Sequence, residues 1–511
     1  MRIKSDKLEK KLKNTLLTYK HFENILLILI NQNYNLYKDG KDTNDFKLLT
    51  SSQLMRNALY DYNSKHSTQL KYLKNKYKDN QLWQALKESA KKLKSHNLTY
   101  IINRVKASFK TYFTNLELYK QNPGLFNSIP KPPKPKKLSK LTNYCIELDK
   151  YCSLSFVRLE KENSVGINLS DNMVYIHVDK EQVKKLTDIN KLYSARLVYD
   201  NESLYLQISY LKEPKKTQTE QLKYASIDIG INNLMAVFID DENTASLIID
   251  GKAFKHYNAK FNRVISKLNE SKSKEVLQWT ISKTGTKYPA KYTEKGKNIG
   301  NFINFLYAKR NKFFTDQFHK MAKRVVEYLY LHKVSDLFIS KNLAQLKHNG
   351  KCELSKAVKQ NFIQIPFIKL IRYIEQKAQE YGLQVHYIDE RYTSKTSCIS
   401  DNIKSIQDSP HLTNAFNGRR VKRGLFLDTA IKKVFNADIN AAVNHIKLAT
   451  GKCFAWLKDK LFKLCNAIKI KSDYEFCELL KSLQNSVSGK SVFCSTEAPL
   501  SNRLVENISF C

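Results

Sequence analysis

Apolar residues recur at helical spacing through residues ~5–125, a stretch rich in Leu, Lys and Tyr that meets no proline before Pro123. The segment Gln81-Leu-Trp-Gln-Ala-Leu-Lys-Glu-Ser-Ala90 is typical of it. The pattern predicts helices whose apolar residues are mostly core. It breaks at Asn122-Pro-Gly-Leu-Phe-Asn-Ser-Ile-Pro-Lys-Pro-Pro-Lys-Pro-Lys-Lys137, where five prolines and four lysines predict an extended basic strap. From ~140 to ~218 the period becomes two, as in Met173-Val-Tyr-Ile-His-Val178 and Leu204-Tyr-Leu-Gln-Ile-Ser-Tyr210. Several short strands predict a small barrel. Lys215–Gln221 is a polar hinge.

A third pattern begins at Tyr224. A strand ending at Asp228 leads through Gly230 into strands at Leu234–Ile239 and Ser246–Ile249. A helix over ~300–333 places Phe302, Phe305, Leu306, Phe313, Phe318, Met321, Val325 and Leu329 on one face, with Lys309, Lys312, Lys320 and Lys323 elsewhere. A strand at Leu337–Ile339, a helix over ~366–381 ended by Gly382, a strand at Leu383–Ile388 and a helix from Asp438 to Gly451 follow. Three strands, then helix, strand, helix, strand, helix is the order of an RNase H-type α/β fold. The tail after ~452 predicts mixed helix and loop, with no role assigned.

With 511 residues, the chain has room for about three domains. Lys and Arg number 87 against 48 acids, a net charge of +39, which points to a polyanionic partner. The nine cysteines are odd in number, and none are spaced C-x-x-C. That spacing argues against a zinc ribbon and a disulfide framework, and for a reducing compartment. The apolar run Ile25–Ile30 is too short to span a bilayer, so no membrane is expected.

Against this basic background, Asp228, Glu390 and Asp438 stand at the mouths of predicted core elements. Phosphodiester hydrolysis needs an activated water and relief of charge on the leaving oxygen. Two Mg²⁺ ions about 4 Å apart supply both. Mg²⁺ takes hard oxygen ligands, so a few convergent carboxylates suffice. Taken singly, Asp228-x-Gly230 also suits a tight turn, Asp438 a helix N-cap, and Glu390 a surface site after a strand.

The segments Ile227-Asp-Ile-Gly-Ile-Asn-Asn-Leu234, Asn361-Phe-Ile-Gln-Ile-Pro-Phe367, Asp389-Glu-Arg-Tyr-Thr-Ser-Lys395, Gly418-Arg-Arg-Val-Lys-Arg-Gly424 and Asn436-Ala-Asp-Ile-Asn-Ala-Ala442 occur in one order. Residues ~120–450 resemble the TnpB/Fanzor (OrfB-type) family of transposon-borne RNA-guided nucleases, relatives of type V CRISPR effectors. The resemblance implies an α/β multidomain chain. Residues 1–125 would be a helical recognition region, 126–220 a wedge-type β-barrel bearing the Pro/Lys strap, and 221–451 a RuvC-like nuclease domain, with 452–511 a tail. It implies Asp228, Glu390 and Asp438 as catalytic ligands of two Mg²⁺, a guide RNA from the element's end, and target double-stranded DNA read beside a short motif. Lys131, Lys134, Lys136, Lys137, Arg419, Arg420, Lys422 and Arg423 are candidate phosphate contacts.

Two departures from the family stand out. Lys341 occupies the usual place of the second glutamate, at the end of the fourth strand, while Glu390 replaces a usual proline beside it, a swap that a subset of the family carries. The zinc-ribbon cysteines are missing from 393–436, where only Cys398 remains, so no zinc is expected. The expected activity is Mg²⁺-dependent DNA cleavage. The alternatives are a guided DNA-binding repressor that does not cut and an RNA-binding relic of a decaying element. The site of action would be the cytoplasm in a bacterial host, or the nucleus in a eukaryotic or viral setting.

Overall fold

The computed structural model describes residues 6–38, 44–62, 67–126, 128–138, 141, 144–170, 172–187, 192–200, 203–211, 213–215, 223–281, 285–340, 364–408, 416–422 and 424–487. The chain forms two compact units, Met1–Lys212 and Glu213–Cys511.

In the first unit, helices α1 (Asp6–Lys38), α2 (Asn44–Leu49), α3 (Ser52–Leu59), α4 (Ser67–Lys76), α5 (Gln81–Lys91) and α6 (Ser95–Gln121) precede the strands. Next come β1 (Tyr144–Leu148), β2 (Leu154–Ser155), α7 (Leu159–Glu162), β3 (Ser164–Ile167), β4 (Val174–His177), α8 (Lys180–Leu186), β5 (Leu192–Asp200) and β6 (Ser203–Tyr210). Pairing runs β1-β5-β6 and β2-β3-β4, two antiparallel three-stranded sheets, with no ladder between them among the described residues. The expected boundary near 125 is not a boundary of cores. Leu16, Phe22 and Phe109 of the helices share one buried cluster with Ile146, Leu197 and Leu206 of the strands. The Pro/Lys strap lies along α1. Asn24 and Asn31 donate to the carbonyls of Lys136 and Pro133 at 2.6 and 2.9 Å, and Lys20 Nζ donates to Lys137 O at 2.6 Å. Prolines cannot donate, so polar side chains of α1 satisfy the strap's carbonyls instead.

The second unit is built on a six-stranded sheet of order β13-β12-β7-β8-β9-β17. Its strands are β7 (Tyr224–Ile229), β8 (Asn233–Ile239), β9 (Leu247–Asp250), β12 (Asp336–Ser340), β13 (Gln384–Ile388) and β17 (Ile468–Ile470). The first three are antiparallel neighbours, and β12 and β13 continue the sheet parallel to β7. Period two decides the faces. Ala225, Ile227, Ile229, Met235 and Val237 enter one core, against α10 (Glu294–Leu331) and α11 (Phe367–Tyr381). Ala236, Phe238 and Phe338 enter the other, against α13 (Ala437–Thr450). Asp228 lies between Ile227 and Ile229, so it faces α13.

The expected helix ends hold. Gly382 (φ 78°) and Gly451 (φ 71°) close α11 and α13 in the left-handed conformation. Three features differ from expectation. Between β9 and α10 the chain inserts α9 (Lys252–Lys274) and a hairpin, β10 (Val276–Ile281) with β11 (Lys287–Tyr292). On α10, Phe302 and Phe305 are exposed, and the buried stripe runs through Ile303, Leu306, Arg310, Phe314 and Phe318. Arg310 is tolerated there because its guanidinium donates to Asn258 Oδ1 and Gln364 O, both at 2.7 Å from Nη2. Finally, the tail adds β17 parallel to β9, followed by α15 (Asp473–Val487), whose Phe476 and Leu480 pack into the first core.

The segment between β13 and α13 carries α12 (Ile403–Asp408) and a three-stranded sheet, β14 (Gly418–Lys422), β15 (Leu425–Asp428) and β16 (Lys433–Asn436). Past α13, α14 (Phe462–Cys465) leads to β17. No helix among the described residues is long and apolar enough to cross a membrane.

Candidate metal and nucleic-acid site

Register places the three carboxylates. In the β12–β7 ladder Ile339 pairs Ile227, so Ser340 comes level with Asp228. In the β12–β13 ladder Ser340 pairs Ile388, two residues before Glu390. Glu390 and Asp228 thus start two strand spacings apart, about 10 Å at the backbone. The turn after β13 closes that gap. Thr393 donates to Glu390 O from N at 3.2 Å and from Oγ1 at 2.9 Å, and Tyr392 adopts φ 68°. The result is that carboxylate oxygens of Asp228 and Glu390 and a ring nitrogen of His445 all lie within 4.8 Å of one another.

Asp438 approaches from α13. Its side chain is not the helix cap, because Asn436 Oδ1 accepts from the Asp438 and Ile439 amides at 2.9 and 3.1 Å. Asp438 is therefore left to face the site. Asn233 Nδ2 donates to it at 2.7 Å, and Arg420 Nη2 lies 3.3 Å from its other oxygen. Asn440 and Asn444 of the same helix bind the loop that carries Glu390. Asn440 accepts from the Cys398 amide at 2.8 Å, and both donate to Thr396 O at 2.9 and 2.8 Å.

Electrostatics follow from this crowding. Burial, then the charges of Asp438 and Glu390, push Asp228 up to about 8, against opposition from Arg420 and the Ile229 amide. Burial also raises Glu390, with the Ser340 hydroxyl opposing and Asp389 adding to the rise. Burial drives His445 down to about 4, so its ring is neutral at ordinary pH. Mutually repelling carboxylates beside an enclosed imidazole with no hydrogen-bond partner on either nitrogen among the described residues fit a divalent cation.

Glu390 lies just past the end of β13, and the Ser340 hydroxyl at the end of β12 hydrogen-bonds it. Lys341 and Arg423 lie outside the described residues. Arg419, Arg420 and Lys422 are exposed on β14, but Arg420 turns to Asp438. Lys131, Lys134 and Lys137 are exposed on the strap, whereas Lys136 Nζ lies 3.3 Å from Glu23. Sequence reasoning missed His445. Its signal was the spacing of seven from Asp438, two helical turns on one face.

The segment lacking ribbon cysteines is held by acids and amides. Asp428, fully buried, accepts from Ser397 and Ser400 hydroxyls and from the Ala430 and Ile431 amides. Asp401 accepts from the Ser397 and Asn417 amides. Lys447 Nζ donates to Cys398 O and Asp401 O at 2.9 and 2.8 Å. Burial pushes the Cys398 thiol up to about 12.

Residues 207–345 match the OrfB_IS605 family, described as probable transposase, and residues 367–445 match the Cas12f1-like TNB domain. A TnpB-like protein of Acidianus two-tailed virus is 23% identical over 240 residues, 45% of this chain and 42% of its own. The CRISPR-associated endodeoxyribonuclease Cas12f2 of a Micrarchaeota archaeon is 24% identical over 302 residues, 57% of this chain and 49% of its own. The chain thus spans about half the length of these relatives. A solved Cas12f1–sgRNA–target DNA complex has a TM-score of 0.49 at 13% identity, covering 86% of this chain and 82% of that one. The resemblance to the TnpB (OrfB-type) family and its type V CRISPR relatives is thereby shown, and the two family-model matches between them span Asp228, Glu390 and Asp438.

Proposed function

We propose that this chain is an RNA-guided DNA endonuclease with a divalent-metal site held by Asp228, Glu390 and Asp438. The observation that carries this reading is the convergence of Asp228 and Glu390, 162 residues apart in sequence, to within 4.8 Å, with Asp438 close enough to raise Asp228. Carboxylates in that arrangement repel one another, so the arrangement serves a cation rather than stability. When bound, the ion (Mg²⁺, two per site, in this reading) neutralises charge at the scissile phosphate and makes water more acidic.

The chain's own groups prepare the site. Ser340 holds Glu390, Asn233 orients Asp438, and Asn440 and Asn444 fix the loop between them. Arg420 partly offsets the acidic charge at Asp438 and lies where a phosphate oxygen would approach. The exposed strap lysines and Arg419 and Lys422 supply sequence-indifferent phosphate contacts, while base pairing of a guide RNA from the element's end selects the target beside a short DNA motif. The first unit would combine the recognition helices with the wedge strands.

The test is plasmid cleavage by protein coexpressed with its flanking element-end DNA, comparing wild type with Glu390→Ala and Asp228→Ala. Metal-dependent cutting abolished by both substitutions supports the reading. Guide-dependent binding without cutting, indifferent to Glu390→Ala, overturns it in favour of a DNA-binding repressor.

A further inference from the structure

His445 lies beside the carboxylates described above, and the proposed reaction gives it no role. It is fully buried on α13, and neither Nδ1 nor Nε2 has a hydrogen-bond partner among the described residues. An unpaired buried polar atom destabilises the fold, because its hydration is lost with nothing in return. The surrounding core, with Ala442, Val443 and Ile446, would accept an apolar side chain at this position without that penalty. The imidazole is not aimed at random. Side chains of a helix lean toward its N-terminus, and the N-terminus of α13 is the end that carries Asp438. A ring nitrogen consequently reaches within 4.8 Å of carboxylate oxygens on both Asp228 and Glu390, groups delivered by two different strands.

We propose that His445 is a nitrogen ligand of the divalent-metal site, and that the site therefore prefers a first-row transition ion such as Mn²⁺ over Mg²⁺. This rests on the metal reading given under Proposed function and names the cation class. Mg²⁺ takes oxygen ligands in a near-ideal octahedron and dehydrates reluctantly, so it gains little from an imidazole. First-row transition ions bind nitrogen well, and affinity rises along the series from Mn²⁺. Two carboxylate oxygens and one neutral imidazole at mutual ligand distance make a mixed donor set that discriminates between the two classes. The oxygens alone would not.

The experiment uses the full chain, stripped of nucleic acid at high salt, with Mn²⁺ alone as probe. Bound Mn²⁺ is counted by loss of the free-ion paramagnetic resonance signal, and coordinated nitrogen is read by electron spin-echo modulation. Wild type is compared with His445→Leu, His445→Gln and Asp228→Asn, and Mg²⁺ affinity is measured by calorimetry. The expected result is ¹⁴N modulation in wild type that both His445 variants lose. Mn²⁺ binding should weaken about 10-fold or more in them, while Mg²⁺ binding changes far less. His445→Gln keeps the reading available if His445→Leu repacks the core. Mn²⁺ bound without ¹⁴N modulation in wild type, yet lost in Asp228→Asn, overturns the role of His445 and leaves the carboxylate site standing. Modulation that persists in both His445 variants also overturns it. No Mn²⁺ binding, or binding unchanged in Asp228→Asn, overturns both readings.

Discussion

Replacing Asp228 by Asn should stabilise the metal-free protein, and increasingly so as pH rises. An aspartate unfolds with a pKa near 3.8, and the folded site holds Asp228 at about 8. Below 3.8 both states are protonated and the carboxyl contributes nothing. Between 3.8 and 8 the unfolded chain ionises while the folded one resists, so stability is lost as pH rises, and above 8 the loss is complete. At about 1.36 kcal/mol per pH unit the full span is roughly 6 kcal/mol. Asp228 is only partly enclosed, and solvent at its edge screens the neighbouring charges, which brings the expected effect to about 2–3 kcal/mol. Asn keeps an oxygen for the Ile229 amide, and its new N–H₂ can donate to Asp438 or Glu390. The assay is thermal unfolding by circular dichroism in EDTA at pH 5, 6.5 and 8. The variant's melting temperature should gain on wild type by about 4–10 °C between pH 5 and pH 8, at roughly 2–4 °C per kcal/mol. A gap between the two proteins that stays flat or narrows with pH would refute the electrostatic picture of the site.

Three further outcomes follow from the geometry. Asp428→Ala leaves two hydroxyls and two amides without their acceptor, and should destabilise the 393–436 segment by about 3 kcal/mol or more, seen as faster hydrogen exchange at Ala430 and Ile431. Gly451→Ala places a Cβ in open space but at φ 71°, so the melting curve should report a loss of about 1 kcal/mol from backbone conformation alone. Arg310→Met should cost about 2–4 kcal/mol in chemical denaturation despite similar volume, because Asn258 and the Gln364 carbonyl lose a buried charged donor.

Much of the second unit was legible because its signals are local. Alternating apolar residues marked β7, a continuous apolar run marked β8, and the helix-closing Gly382 and Gly451 marked the ends of α11 and α13. Asp228 and Asp438 stood out because a strand end and a helix start are recognisable in sequence. Glu390 needed the ladder registers and the turn to show that a residue just past β13 reaches Asp228 two strands away. What escaped has physical causes too. The three residues of β17, Ile468-Lys-Ile470, are too few to show a period, and their pairing with β9 is entirely long-range. The insert α9–β10–β11 is lysine-rich, and its hairpin exposes Leu277, Trp279 and Ile281, so the few buried apolar residues of α9, Phe254, Phe261 and Ile265, stand out weakly in sequence. Arg310 hid on a buried stripe because charge is read as surface, and the aromatic Phe302 and Phe305 drew the predicted face off its true line. His445 carries no sequence signal beyond its spacing from Asp438. Only its missing partners and its distance to two carboxylates set it apart.

The pairing of β17 with β9 also imposes an order on manufacture. About 220 residues separate the two strands, so a ribosome has made the segments bearing Asp228, Glu390 and Asp438 before the partner of β9 emerges. Until then β9 presents a bare apolar edge, open to other chains. Completion of the sheet is thereby coupled to late translation. A product cut short before residue 468 would keep that edge bare and be prone to aggregate.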